Sequence, residues 1–434
     1  MTKLFLVTLM AAWTWTSVVA ADEGAVFDTA TSWMNAPGSI SIERAATDGR
    51  IHVRFDGFVE SAAELGGPWV PMTAATSPFL TGDPDGLRFY RGGDLTDPAA
   101  FGSRSVAEWI IAGPLQQHFE LAFAGMPDGI FPPRREKPYF DGSVTVAGRT
   151  IPVSLRVRGN SSLQECPFPK IKLKVSRKDR EGTPFASARE VKIGTHCAEG
   201  GQGSIGRLRD ERATFREALA YEAMELLGFV SPKVRRARIE FRDTSPGDDP
   251  ELRGWTVTRM AMVLEDPEVV AERDGGRALS DEEVGALTNA RFGAQLIADL
   301  RFLHVLLGNW DFVLTEDGRD LWNTDVIRRG DGVLVPLAGD FDLCSWVTAQ
   351  VRSSAPWDYL PDLPERDRNV RFELQTLRQS LPHATFDAAA ARFAARRADL
   401  ELLVAAALVD AAGRTNAAAH VTTFFNGLTA VAGR

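Results

Sequence analysis

The chain has 434 residues, enough for two or three domains, and its 44% hydrophobic and 25% charged content is an ordinary globular balance. A formal net charge of −9 argues against nucleic acid as a partner, because phosphate affinity needs a basic surface. The six histidines fall singly, with no HxxH or HExxH pair, so a zinc site is not expected.

The N-terminus reads as a secretory leader over 1–20. Lys3 supplies the positive start, residues 4–19 are apolar, and Val18, Val19 and Ala20 are small enough for cleavage. The apolar run is short for a membrane span. A secreted or periplasmic chain is therefore expected, with no transmembrane segment after processing. Residues 22–97 alternate apolar and polar positions between turn sequences such as TDGR and GDPDG, which predicts a small all-β module. A boundary falls in the Gly-, Asp- and Pro-rich stretch before residue 98.

The segment 106–125 predicts a helical pair broken at Gly113 and Pro114. Strands are expected at 142–160, in a hairpin turning at Ala147 and Gly148, and again at 170–175 and 189–194. Residues 210–228 predict an amphipathic helix with Phe215, Leu219, Ala223 and Leu226 on one face, Asp210 as its cap and Gly228 as its stop. Two more strands, 235–241 and 255–262, complete a β-rich lobe over 98–265. One long helix is expected over 280–307, capped by Ser280 and ended by Gly308 and Asn309, and Ala-rich helices over 384–432 close an α-rich lobe spanning 266–434. In an exported chain Cys166 and Cys197 are expected to pair, leaving Cys344 as a buried thiol; three unpaired thiols is the alternative.

The order of charged residues carries the chemistry. Phosphoryl transfer needs a cation for the phosphates, a carboxylate to fix that cation, an Asp to orient the acceptor hydroxyl, and an Asp with an Asn to hold metal. Lys170, Lys172 and Lys174 lie on the strand PKIKLKV, and Lys192 lies on the next. Glu217 and Glu222 lie on the 210–228 helix. Asp311 follows the long helix in LLGNWDF, and GVLVPLAGDFDL places Asp340 and Asp342 after an apolar strand.

The segment VRGNSSLQECPFPKIKLKV, the helix FREALAYEAMELLG and the pairing of GNWD with DFD resemble the CotH kinase family of spore-coat and secreted proteins, over roughly residues 136–350. The resemblance implies an α+β, bilobal protein-kinase-like domain, here preceded by the small all-β module. It also implies ATP with Mg2+ or Mn2+ and a protein acceptor bearing a Ser or Thr hydroxyl. On the matching positions, Asp311 would be the catalytic Asp. Lys172 would hold phosphate, with Lys192 as rival and Glu217 as its helix partner. Asn323, Asp340 and Asp342 would hold the metal. Arg158, Gly159, Asn160, Ser161 and Ser162 would form a turn over the phosphates. A catalytically inactive surface-binding or assembly protein is the alternative. Trp310 and Trp346 flank the Asp loops and would suit a glycosidase cleft, but that chemistry needs no upstream lysine strand.

Overall fold

A computed structural model describes, with side chains, residues 100–101, 106–124, 137–159, 163, 166, 168–196, 210–247, 253–287, 291–309, 311–312, 321, 323–348 and 366–431. Two compact units divide the chain. One takes residues 1–97, 102–105 and 398–408, and the other takes 98–101, 106–397 and 409–434. The expected leader and β-module lie outside the residues described with side chains; their backbone is described only in strands, among them Leu6–Ala11 and Thr14–Ala21 in the leader and Ile40–Arg44, Ile51–Phe55, Phe58–Ala62 and Arg88–Gly93 in the module.

Seven strands dominate the second unit: β1 (Ala107–Gly113), β2 (Phe140–Val146), β3 (Arg149–Arg158), β4 (Lys170–Lys174), β5 (Glu190–Thr195), β6 (Val234–Asp243) and β7 (Thr256–Glu265). They close into a barrel in the order β2-β3-β4-β5-β7-β6-β1. This overturns the bilobal kinase-like fold that the resemblance implies, and one segment closes the sheet. Residues 107–113 were expected to be helical. Their burial alternates, with Ala107, Trp109 and Ile111 inward, which is the period of a strand. That strand pairs antiparallel with β2 on one side and parallel with β6 on the other, Ile239 opposite Trp109, so the sheet has no open edge. Inward side chains such as Val144, Leu155, Leu173, Val191, Ile239 and Val263 form one continuous core. The hairpin between β2 and β3 turns at Ala147 and Gly148, both with positive φ, as the sequence predicts. Helix α1 (Leu115–Phe123) follows β1 directly after Pro114.

Helix α2 (Ala213–Leu226) is buried almost all round, not along one stripe. It packs against β6 and β7 and against the short helical turn Ser345–Thr348. Asp210 does not cap it; its carboxylate accepts from the backbone and side chain of Arg212 and pairs with Arg216.

The expected 280–307 helix is two. Ser280 and Glu283 form a reciprocal capping box on the short α4 (Asp281–Gly285). After Gly293, α5 (Ala294–Leu307) begins afresh; glycine at both points weakens helix continuity. Gly308 ends α5 in the left-handed conformation, with Asn309 N–H bonded to the His304 carbonyl. Before α4, α3 (Pro267–Arg273) leads into a small antiparallel sheet of β8 (Gly276–Ala278), β9 (Thr324–Arg329) and β10 (Leu334–Ala338). Helices α6 (Leu363–Ser380), α7 (His383–Ala394) and α8 (Ala411–Ala432) surround α5, and Phe302, Phe386, Phe393 and Phe424 meet there mostly edge-on or tilted. No helix among the described residues is long and apolar enough to cross a membrane.

Candidate functional site

The alternation of β4 sends Ile171 and Leu173 into the barrel and Lys170, Lys172 and Lys174 outward. The three lysines meet different partners. Lys172 Nζ is 2.6 Å from Glu190 and 2.9 Å from Asp266, and Lys174 reaches the other Glu190 oxygen at 3.0 Å. Lys170 Nζ instead lies 3.5 Å from Asp340 and 3.3 Å from Asp342. Lys192, opposite Lys172 in the ladder, reaches Asp325 at 3.5 Å.

Asp340 and Asp342 follow β10 through Gly339. Asp340 has a left-handed backbone, φ 53° and ψ 56°, which costs energy for a residue with a Cβ. Its N–H donates to the Tyr221 hydroxyl at 3.0 Å, and the neighbouring Phe341 ring packs edge-on against Tyr221. Helix α2 therefore fixes this turn twice. Asn323 is also left-handed, at φ 54°. Its carbonyl accepts from Gly339 N–H, and its side-chain amide donates to the Asp311 carbonyl at 2.7 Å and carboxylate at 3.1 Å. Among the described non-glycine residues with positive φ, Asn323 and Asp340 both belong to this site, and Ala147 belongs to the β2–β3 hairpin turn. Strain held by surrounding contacts is a mark of functional positions.

A buried chain of hydrogen bonds supports Asp311 from the other side. Its N–H donates to Asn309 Oδ1 at 3.1 Å, and Asn309 Nδ2 lies 3.1 Å from His304 Nδ1. Burial pushes the His304 imidazole down to about 3, so it is neutral and its Nδ1 lone pair can accept. His304 stacks flat on Phe312, with ring centroids 3.6 Å apart.

Helix α2 carries three buried charges. Arg216 forms a two-point pair with Asp410 and also reaches Asp210 and the Val347 carbonyl. Glu222 forms a two-point pair with Arg236 at 2.5 and 3.0 Å. Glu217, 7% exposed, has no hydrogen bond or ion pair among the described residues, yet it lines a cavity of about 500 Å3. Arg158, Lys170, Lys192, Asn323 and Asp340 line the same cavity, with Met262, Leu264, Val284, Leu321 and Leu337 as apolar wall. Lys172 is not among its walls.

The charges act on one another across this space. Burial, then the charge of Asp342, pushes Glu217 up to about 8. Burial, then Asp340, pushes Asp342 up to about 7. The Lys170 ammonium holds Asp340 below the usual carboxylate range. Burial works against Lys170 itself, but Asp340, Asp342 and Glu217 outweigh it and raise its pKa. Three acids thus crowd one ammonium.

The structure brings together Asp311, Asn323, Asp340, Asp342, Glu217 and Arg158 from the expected set, with Lys192 on the wall of the same cavity. Lys170, not Lys172, is the lysine among the acids. Gly159 ends β3 with φ 107° and its carbonyl accepts from Lys137. Asn160, Ser161, Ser162 and Trp310 lie outside the described residues, as does Cys197. Trp346 is buried core, and Cys344 is a buried free thiol. Sequence reasoning gave Tyr221 and His304 no role and read Asn309 only as part of a helix stop; a buried tyrosine and a lone histidine carry no spacing signal.

Among the described residues, no group of three or more His, Cys, Asp or Glu is arranged to hold a metal unaided. The donor set still suits a hard cation that keeps other ligands. Asp340 and Asp342 together hold a positive charge already, and Mg2+ is commonly bound by one or two carboxylates with phosphates and waters completing its shell. A scan against models of protein families finds no match to this chain, and a search of curated proteins finds no relative.

Proposed function

We propose that the chain is a phosphotransferase that binds ATP with Mg2+ or Mn2+ in this cavity and transfers the terminal phosphoryl group to a protein hydroxyl. The observation that carries the reading is the convergence of Lys170, Glu217 and Asp340, three charged groups from three separate elements, on one cavity, with Asp342 paired to Lys170 and Asp311 bonded to Asn323 of the cavity wall. The barrel departs from the bilobal fold that the CotH resemblance implies, so the reading rests on the chemistry of the site. The leader-like N-terminus motivates an extracytoplasmic acceptor.

Lys170 is assigned the phosphates, since Lys172 is committed to Glu190 and Asp266. Arg158 and Lys192 extend positive charge along the cavity. Asp340 and Asp342 would hold the divalent ion, with Asn323 beside them; the ion supplies neutralisation of phosphate charge. Asp311 orients the acceptor hydroxyl and takes its proton as the oxygen bonds to phosphorus and the bridging oxygen leaves with the nucleoside diphosphate. The apolar wall of Met262, Leu264 and Leu337 suits a planar base.

A second reading, a nucleotide- or phosphate-binding protein without catalysis, is favoured by the Asp311 carboxylate being engaged by Asn323. Calorimetry of the full chain with Mg-ATP and Mn-ATP, alongside Asp340→Ala, tests the nucleotide site. Saturable micromolar binding lost in the variant supports it. No binding up to millimolar nucleotide, weaker than about −4 kcal/mol, refutes it. Radiolabel transfer from ATP to protein then separates catalysis from binding alone.

A further inference from the structure

Arg366 lies in the first turn of α6 and is 4% exposed. Its Nη2 donates to Asn416 Oδ1 on α8, and its Nε and Nη1 have no acceptor among the described residues. A guanidinium stays protonated in proteins, so a positive charge is buried here. Among the described residues no carboxylate pairs with it. Asp367, the next residue, is exposed and accepts from the Thr423 hydroxyl at 2.8 Å. His420 donates Nε2–H to the Val305 carbonyl at 3.3 Å. Burial and the Arg366 charge push its pKa down to about 3, so it stays neutral and offers no counter-charge. Asn416 is an uncharged amide whose Nδ2 donates to the Ser345 carbonyl at 2.5 Å. Ser345 N–H and Oγ donate in turn to the Gly308 carbonyl, at 3.0 and 3.3 Å, so the arginine is tied to the turn that ends α5. Buried charges are ordinarily paired, because an unpaired one is costly. A water molecule would satisfy a hydrogen bond there but not the charge.

We propose that Arg366 is the centre of a buried site for one small monovalent inorganic anion, such as chloride, between α6, α8 and the turn Ser345–Thr348. One such anion neutralises one guanidinium, and the unused N–H groups of Arg366 are its donors. A phosphate or sulfate dianion would leave a negative charge buried in its turn. Arg366, Asn416, Ser345 and His420 do not line the cavity of Lys170 and Glu217, so this site is independent of the proposed phosphotransfer.

The test is urea unfolding of the full chain as chloride replaces gluconate, a bulky anion, at constant ionic strength. The folded-to-unfolded ratio of the native chain is expected to rise about tenfold or more between chloride-free buffer and about 150 mM chloride, as a site with a Kd of about 15 mM or tighter requires. Arg366→Met has no charge to neutralise and is expected to change by less than about twofold over the same range. Asn416→Asp brings a carboxylate of the same shape to Arg366 Nη2, and its response is expected to fall below about twofold as well. No chloride response in the native chain overturns the proposal. An equal response in the native chain and Arg366→Met also overturns it, because the anion then binds elsewhere. Should Arg366→Met fail to fold, Asn416→Asp decides: an undiminished response in that variant refutes the site.

Discussion

Glu217→Gln is expected to stabilise the ligand-free protein, and the gain should depend on pH. The Glu217 carboxyl is pushed from 4.5 to about 8, first by burial and then by Asp342. Between those values the folded chain keeps a proton that the unfolded chain has released, so stability falls as pH rises through that window. At about 1.4 kcal/mol per pH unit, the full cost reached at pH 8 is about 3–5 kcal/mol. Below about pH 4.5 both states hold the proton and the cost vanishes. Glutamine keeps the shape of the protonated acid without the titration. Urea unfolding of both chains at pH 5 and pH 8 reads the difference directly from the midpoints. The variant should match the native chain within about 1 kcal/mol at pH 5 and exceed it by about 3–5 kcal/mol at pH 8. A gap that is the same at both pH values would refute the reasoning, since it would show that Glu217 is not carrying a pH-dependent cost. A stabilising change at a cavity wall is the usual mark of a residue kept for function.

Three further outcomes are expected. Glu222→Ala leaves Arg236 buried and unpaired and should cost about 3–5 kcal/mol in chemical denaturation, the opposite sign to Glu217→Gln on the same helix. Gly308→Ala places a Cβ 2.5 Å from Ser345 Oγ and 2.7 Å from His420 in a left-handed backbone, so a loss of about 2–5 kcal/mol is expected by the same measurement. His420, held neutral by burial and by Arg366 with its pKa pushed down to about 3, takes a proton only in the unfolded chain as pH falls below 6.5. Stability is therefore lost between pH 6.5 and 3, and His420→Gln should gain about 2 kcal/mol relative to the native chain on going from pH 7 to pH 5.

Much of the local structure was legible because short-range chemistry decides it. Ala147 and Gly148 turn the β2–β3 hairpin, Ser280 and Glu283 form their capping box, and Gly308 closes α5, each as residue type alone suggests. The errors came where long-range packing decides. Residues 107–113 have an apolar content that fits either a helix or a strand, and only β2 and β6 on its flanks make it a strand. Once that segment is a strand, the β-rich region is a closed barrel and not the first lobe of the bilobal fold that the resemblance implied. Helix α2 was read as one-sided, with Phe215, Leu219, Ala223 and Leu226 as its apolar face. Arg216 and Glu222 are in fact neutralised by Asp410 and Arg236, residues 194 and 14 positions away, which no local pattern reveals.

The same limit explains the lysine. Lys170, Lys172 and Lys174 share one face of β4, so alternation cannot choose among them. Sequence order singles out Asp340, Asp342 and Asp311, because each is tied to an element end that the sequence marks. It could not select the cation, because that choice depends on what lies outside the barrel wall at each step of the strand. At Lys172 the wall meets Glu190 from the next strand and Asp266 from the start of α3, two fixed anions within salt-bridge distance. One step earlier, the wall meets a turn that follows β10 and Glu217 of α2, which has no hydrogen bond or ion pair among the described residues. A lysine saturated by two close anions is a strut. A lysine held more loosely, by two acids of one turn and on the wall of the cavity that Glu217 also lines, is the one we assign to the phosphates.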